Sequence, residues 1–150
     1  MKISGSQTLP AAPEKVYAMM QDPEVLARAI PGCEGLEKIG ENEYRMKMKM
    51  ALASFSGAFE GKVRITDQMP PESFRLIVEG SGKLGFMKGD GLLKLSANGG
   101  GTEVSYEGDA QVGGTMAAVG QRLIDGTAKM MIKRFFEKLA EEAAESSGRQ

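Results

Sequence analysis

The chain has 150 residues, 41% of them hydrophobic, a formal charge of −1, one cysteine and no histidine or tryptophan. A single domain of this length buries roughly 68–70% of its unfolded surface, so no disulfide or metal is required to hold a core. The scattered, balanced charges exclude a basic field for nucleic acid, and the missing histidine with Cys33 alone excludes His-based acid–base work, an internal disulfide and a His- or Cys-ligated zinc.

A lone cysteine fits a reducing compartment, and the N-terminus MKISGSQTLP lacks the apolar segment of a signal peptide, so the expected location is the cytoplasm. Every apolar run falls short of the ~20 residues that span a bilayer, which limits any expected membrane contact to a peripheral one at the inner face.

Residues 2–9 alternate weakly and predict a first strand, polar on both sides as suits a sheet edge. Pro10 and Pro13 end it. Pro13 opens a helix with Val16, Tyr17, Met19 and Met20 on its apolar side, and Asp22-Pro23 reads as an N-cap and first-turn proline of a second short helix through Val25, Leu26 and Ile30. Pro31-Gly32 stops it.

Six strands are expected next. Residues 34–39 and 43–52 predict a hairpin around Gly40–Glu43, and strict alternation puts Tyr44, Met46, Met48 and Met50 on one face with Arg45, Lys47 and Lys49 on the other. Phe55–Asp67 follows, with Phe59, Gly61, Val63 and Ile65 in phase. After a turn at Met69–Glu72, Phe74, Leu76 and Val78 alternate; Leu84–Ser96 carries Leu93 and Leu95; and beyond the loop Asn98–Gly101, Thr102, Val104, Tyr106, Ala110 and Val112 alternate again.

From Thr115, a candidate N-cap, to about Glu145 runs an amphipathic helix of about 45 Å, longer than a small domain is wide. Its apolar positions include Met116, Val119, Leu123, Ile124, Met131, Phe135 and Leu139. Such a helix must lie along something, and the sheet is its available partner. The expected fold is α+β: a curved seven-stranded antiparallel sheet, two short helices after the first strand, and one long C-terminal helix across the concave face. One domain covers residues 1–150, with about 146–150 a frayed tail. That geometry tends to leave a cavity.

Parity and helix phase nominate Met46, Met48, Met50, Phe59, Val63, Leu76, Val78, Phe86, Leu93, Val104, Tyr106, Leu123 and Met131 as ligand-contacting residues. Ordinary core is the default for any single methionine, but thioethers as a set mould to a bulky apolar guest. Gly80-Ser-Gly82-Lys-Leu-Gly85 has the letters of a dinucleotide-binding motif, yet Phe86–Gly91 follows where a helix is needed. Those glycines read instead as bulges and bends in long strands, or as room for a ligand against the backbone. Cys33 reads as a packed structural thiol. Asp90, Asp109 and Asp125 form no acid–base dyad in sequence, and Phe135-Phe136 beside Lys133, Arg134 and Lys138 offers an aromatic contact to a membrane or partner if exposed.

Three phrases carry a resemblance: Asp22-Pro23-Glu24-Val25-Leu26 leading to Ile30-Pro31-Gly32-Cys33-Glu34, the glycine run Gly80–Gly91, and Gly113-Gly114 through Ala118, Gly120 and Arg122 to Phe135-Phe136. Together with the element order they resemble the carbon monoxide dehydrogenase G-subunit family, within the START-like, polyketide-cyclase-like (SRPBCC) helix-grip superfamily. The resemblance covers nearly the whole chain. It implies a noncatalytic accessory protein without a cofactor or metal of its own, holding a hydrophobic molecule such as a quinone or lipid. The implied partner is a molybdenum hydroxylase complex of the carbon monoxide dehydrogenase type, served by membrane recruitment or by electron transfer to quinone. Two alternatives stand beside it: an assembly or maturation factor working through an external surface near Cys33 or Phe135-Phe136, and a cyclase or hydrolase of the superfamily using Tyr44 and Tyr106.

Overall fold

A computed structural model describes residues 1–52 and 55–147. Its elements run β1 (Lys2–Leu9), α1 (Pro13–Gln21), α2 (Pro23–Ala29), β2 (Cys33–Gly40), β3 (Glu43–Leu52), β4 (Phe55–Met69), β5 (Ser73–Gly82), β6 (Gly85–Asn98), β7 (Gly101–Gly113), a 3-10 turn (Gly114–Val119) and α3 (Gln121–Ser147). The strands form one seven-stranded sheet in the order β1-β7-β6-β5-β4-β3-β2, with every pairing antiparallel. β2 to β7 is a simple meander. The chain leaves β1 at one edge, crosses through α1 and α2, and re-enters as β2 at the other.

Local chemistry sets the two short helices. Pro13 and Pro23 each occupy the first helical turn, where a missing N–H costs nothing, and the Asp22 carboxylate accepts from Glu24 N at 2.9 Å. Val16, Tyr17 and Met20 of α1 and Val25, Leu26 and Ala29 of α2 are buried, which seats both helices on the core. At the C-terminal end of α2, Cys33 N donates to Ile30 O at 3.1 Å and Lys49 N to Gly32 O at 2.9 Å. The Pro31-Gly32-Cys33 turn is thereby tied to β3.

The strand alternation holds. Tyr44, Met46, Met48, Phe59, Val63, Ile65, Phe74, Leu93, Leu95 and Val104 are buried on the concave side, where they meet Phe136, Leu139 and Ala143 of α3. Arg45 and Lys49 face outward toward Glu37 and Glu34, each pair 3.5 Å apart.

The C-terminal helix differs from the sequence expectation at its start. Thr115 is not its N-cap: residues 114–119 form the 3-10 turn, and α3 begins only at Gln121. Between them Gly120 has φ 103, a conformation that L side chains rarely adopt, and its carbonyl accepts from Ile124 N at 3.2 Å. A hydrophobic spacing of three or four residues fits a 3-10 turn as well as an α-helix, so periodicity alone hid the break. At the other end α3 reaches Ser147, so residues 146 and 147 of the expected tail are helical and 148–150 lie outside the described residues. Arg28 of α2 forks onto Glu142 with N–O distances of 2.6 and 2.9 Å, fixing the C-terminal half of α3 to the helix pair.

Candidate functional site: an apolar cavity under the long helix

A cavity of about 280 Å3 lies between the inner surface of β5, β6 and β7 and the N-terminal half of α3. Its floor follows from four small residues. Across the β6–β7 ladder Gly89 faces Ala110 and Gly91 faces Gly108, so the concave surface carries almost no side-chain volume where its neighbours carry leucine, valine and methionine. β6 keeps unbroken register with both neighbours through this stretch, which corrects the expectation of bulges at Gly89 and Gly91. A Cβ on Gly89 would meet nothing within 4 Å, whereas one on Gly108 would run into the Asp90 carbonyl. Gly89 therefore supplies space and Gly108 permits close strand approach.

Ile124, Thr127, Ala128, Met131, Ile132 and Phe135 of α3 form the roof, and Met116 of the 3-10 turn closes one end. That turn is held by Met116 N donating to Leu84 O at 2.7 Å, which links it to the β5–β6 hairpin tip. Ile30 and Pro31 complete the wall, so the proline-glycine-cysteine turn positions two apolar lining residues. Lys88, Asp90, Glu107 and Gln111 border the cavity as well, but strand parity carries their side chains to the convex face, where Asp90 meets Arg75 at 2.6 Å. Tyr106 and Thr127 are the hydroxyl-bearing residues of the lining.

Of the nominated ligand residues, Met50, Leu76, Val78, Leu93, Tyr106 and Met131 lie on this wall. The others do not. Met46, Met48, Phe59, Val63 and Val104 are packed core, each at most 1% exposed, on inner positions that belong to one continuous cluster with residues of α1, α2 and the C-terminal half of α3. Phe86 is 48% exposed: its even position on β6 is out of phase with Met87, Gly89 and Leu93, and its ring lies over Gly113. Leu123 is 38% exposed because it falls one residue, about 100° of helix, off the stripe that begins at Ile124. Tyr44 is buried core away from the cavity.

Sequence reasoning missed Ile3, Met87, Met116, Ala128, Ile132, Gly108 and Ala110 as lining residues, while Gly89 and Gly91 are read there as bulges or as room for a ligand. Gly89 and Gly91 did carry a signal, since both fall on inner positions of β6, but hydrophobic parity cannot see a wall made of hydrogen atoms.

Phe136 is 4% exposed and stacks on Tyr106 at a centroid distance of 5.3 Å, while Phe135 meets Phe136 edge-on and is half-buried. Neither presents the exposed aromatic surface considered from sequence. Cys33 is half-buried, its Sγ 3.6 Å from Gly35 O, and burial pushes its thiol above the ordinary range. No described helix is long and apolar enough to cross a membrane.

The family model for the G subunit of carbon monoxide dehydrogenase (CoxG) matches residues 5–144. The chain belongs to the CoxG family. A conserved protein from Geobacillus kaustophilus, known from a crystal structure, is 36% identical to this CoxG chain, with a TM-score of 0.92 and 97% of each chain covered. Ara h 8.0201 has a TM-score of 0.67 at 14% identity, covering 97% of this chain and 98% of its own. The di-domain ARO/CYC StfQ from the steffimycin biosynthetic pathway has a TM-score of 0.65 at 12% identity, covering 98% of this chain and 51% of its own. These two share the helix-grip fold with the CoxG chain, as expected from its element order. No curated protein sequence matches it.

Proposed function

We propose that this chain is a noncatalytic binding protein that holds a hydrophobic molecule, a quinone or a lipid, beneath α3 and serves a molybdenum-containing hydroxylase of the carbon monoxide dehydrogenase type. Its service is membrane recruitment of that enzyme or electron transfer to quinone. The observation that carries the reading is the apolar cavity of about 280 Å3 in a CoxG-family chain. A water-filled space with so few polar partners is poorly satisfied, and an apolar guest gains the burial that the glycine floor leaves vacant. The test is mass spectrometry of apolar molecules extracted from protein purified from its native host, together with melting in the presence of menaquinone. A ligand at 100 times its Kd adds about 2.7 kcal/mol of apparent stability. No co-purifying quinone or lipid, combined with an unchanged Tm, overturns the reading.

One observation favours an assembly role as a second reading. Leu123 and Met130, 38% and 41% exposed, stand seven residues apart on the outward face of α3 and form an apolar strip suited to a protein contact. Deleting the gene and finding normal cofactor content in the partner enzyme rules that role out.

A further inference from the structure

A second hollow, of about 490 Å3, runs between the edge strand β1 and α3, and shares Ile3, Tyr106 and Ile132 with the apolar cavity. Those three side chains are the partition between a space lined almost wholly by apolar groups and one that is charged. On the hollow's side, Lys129 and Lys133 stand one helical turn apart on the same face of α3, with Glu137 as the lone carboxylate of the lining; Lys2 borders it from β1, but strand parity carries its side chain to the convex face beside Asp109. Lys2, Lys49, Lys62 and Lys138 each have a carboxylate within 4.0 Å. Lys129 and Lys133 have none among the described residues, as is also true of Lys15, Lys38, Lys47, Lys83, Lys88 and Lys94; what sets the two apart is their shared place on the rim of the hollow.

Tyr106 gives the partition a direction. Its ring is stacked on Phe136 within the cavity wall, and its hydroxyl lies over Gly5 of β1, where a Cβ would come within 2.5 Å of the oxygen. The glycine makes room for the phenol to reach the strand edge. Among the described residues that hydroxyl has no hydrogen-bond partner, and it is open to solvent on the hollow's side. An apolar ring therefore faces the cavity while an unengaged O–H and two unpaired ammonium groups face the hollow.

We propose that the ligand is an amphiphile with an anionic head, a carboxylate or a phosphate, whose tail lies over the glycine floor and whose head emerges between β1 and α3 onto Tyr106, Lys129 and Lys133. This rests on the lipid form of the carrier reading, not its quinone form, and names the ligand class of that site. The Tyr106 hydroxyl donates to a head-group oxygen, and the lysine stems lie along the apolar rim while their ammonium groups meet the negative charge.

Binding of dodecanoate, dodecyl phosphate and dodecanol, three probes with one tail and different heads, tests it by calorimetry on the full chain and on the K129A/K133A variant. Both lysines are exposed, so the variant retains the fold. The expected result is that the variant weakens at least one of the two anions about fivefold and leaves dodecanol within about twofold. Whichever anion responds more identifies the head as carboxylate or phosphate. Equal effects on all three probes, or no effect on either anion, overturn the head-group assignment. Dodecanol binding while neither anion binds overturns that assignment and leaves the carrier reading standing. If none of the three binds, the head-group assignment falls, and the carrier reading is decided separately by the extraction and menaquinone melting experiment.

Discussion

Gly89 and Ala110 face each other across the floor of the cavity, and the space above Gly89 is open: a Cβ there would meet nothing within 4 Å. The backbone at Gly89 is outside the left-handed region, so an L side chain fits without strain. Gly89→Leu should occupy the ligand's volume. The expected outcome is loss of ligand binding with unchanged or raised stability, the gain reaching about 1–2 kcal/mol from apolar burial and reduced unfolded-state freedom. Urea unfolding beside ligand titration checks it; a destabilised variant that still binds would show the floor is not where the guest lies.

Strand parity and helix phase nominate Met48 and Met131 alike, yet one is core at 1% exposed and the other lines the cavity. Met48→Ala should cost about 2–5 kcal/mol, because the packed surroundings cannot collapse, and should leave ligand affinity unchanged per folded molecule. Met131→Ala should cost less, since its side chain already borders a void, and should change affinity instead. Paired denaturation and binding curves separate the two behaviours.

Tyr17 is buried, donates to Ser73 O at 3.0 Å and meets Phe74 edge-on at 5.4 Å. Burial raises its pKa above the ordinary tyrosine value. The folded state thus holds the phenolic proton more tightly than the unfolded state, and above about pH 10 the unfolded state ionises first, so this contribution to stability is present below that pH and falls away above it. Tyr17→Phe should cost about 0.5–1.5 kcal/mol at neutral pH and flatten the alkaline loss. Urea unfolding of both proteins between pH 7 and 11 reads the slope directly.

Gly120 separates the 3-10 turn from α3 at φ 103, with open space where a Cβ would stand. Gly120→Ala therefore meets no clash, and its cost is conformational, about 1–3 kcal/mol, because φ 103 with ψ 149 is a backbone region held almost only by glycine. Because that joint seats Met116 and Ile124 over the cavity, the variant should also weaken ligand binding, whereas Gly126→Ala, inside α3 and equally unobstructed, should stabilise by up to about 1 kcal/mol. Thermal melts of the two variants, with and without ligand, distinguish hinge from helix.

The sequence by itself determined the element order, the inward parity of Tyr44, Met46 and Met48, the proline starts of α1 and α2, and the placement of a long helix against the sheet. Each of these is a local property: alternation with period two, a capping aspartate, a proline that tolerates one position, and a helix too long to stand alone. The family resemblance was legible for the same reason, since its marks are short contiguous phrases such as Ile30-Pro31-Gly32-Cys33. Only the tertiary structure decided which inward residues meet the cavity and which meet other core. Met48 and Met50 share a strand face, but Met48 packs into core while Met50 borders the cavity, a difference set by how α3 crosses the sheet. Register between β6 and β7 brought Gly89, Gly91, Gly108 and Ala110 together, and a void assembled from residues so far apart in sequence leaves no periodic trace in the chain.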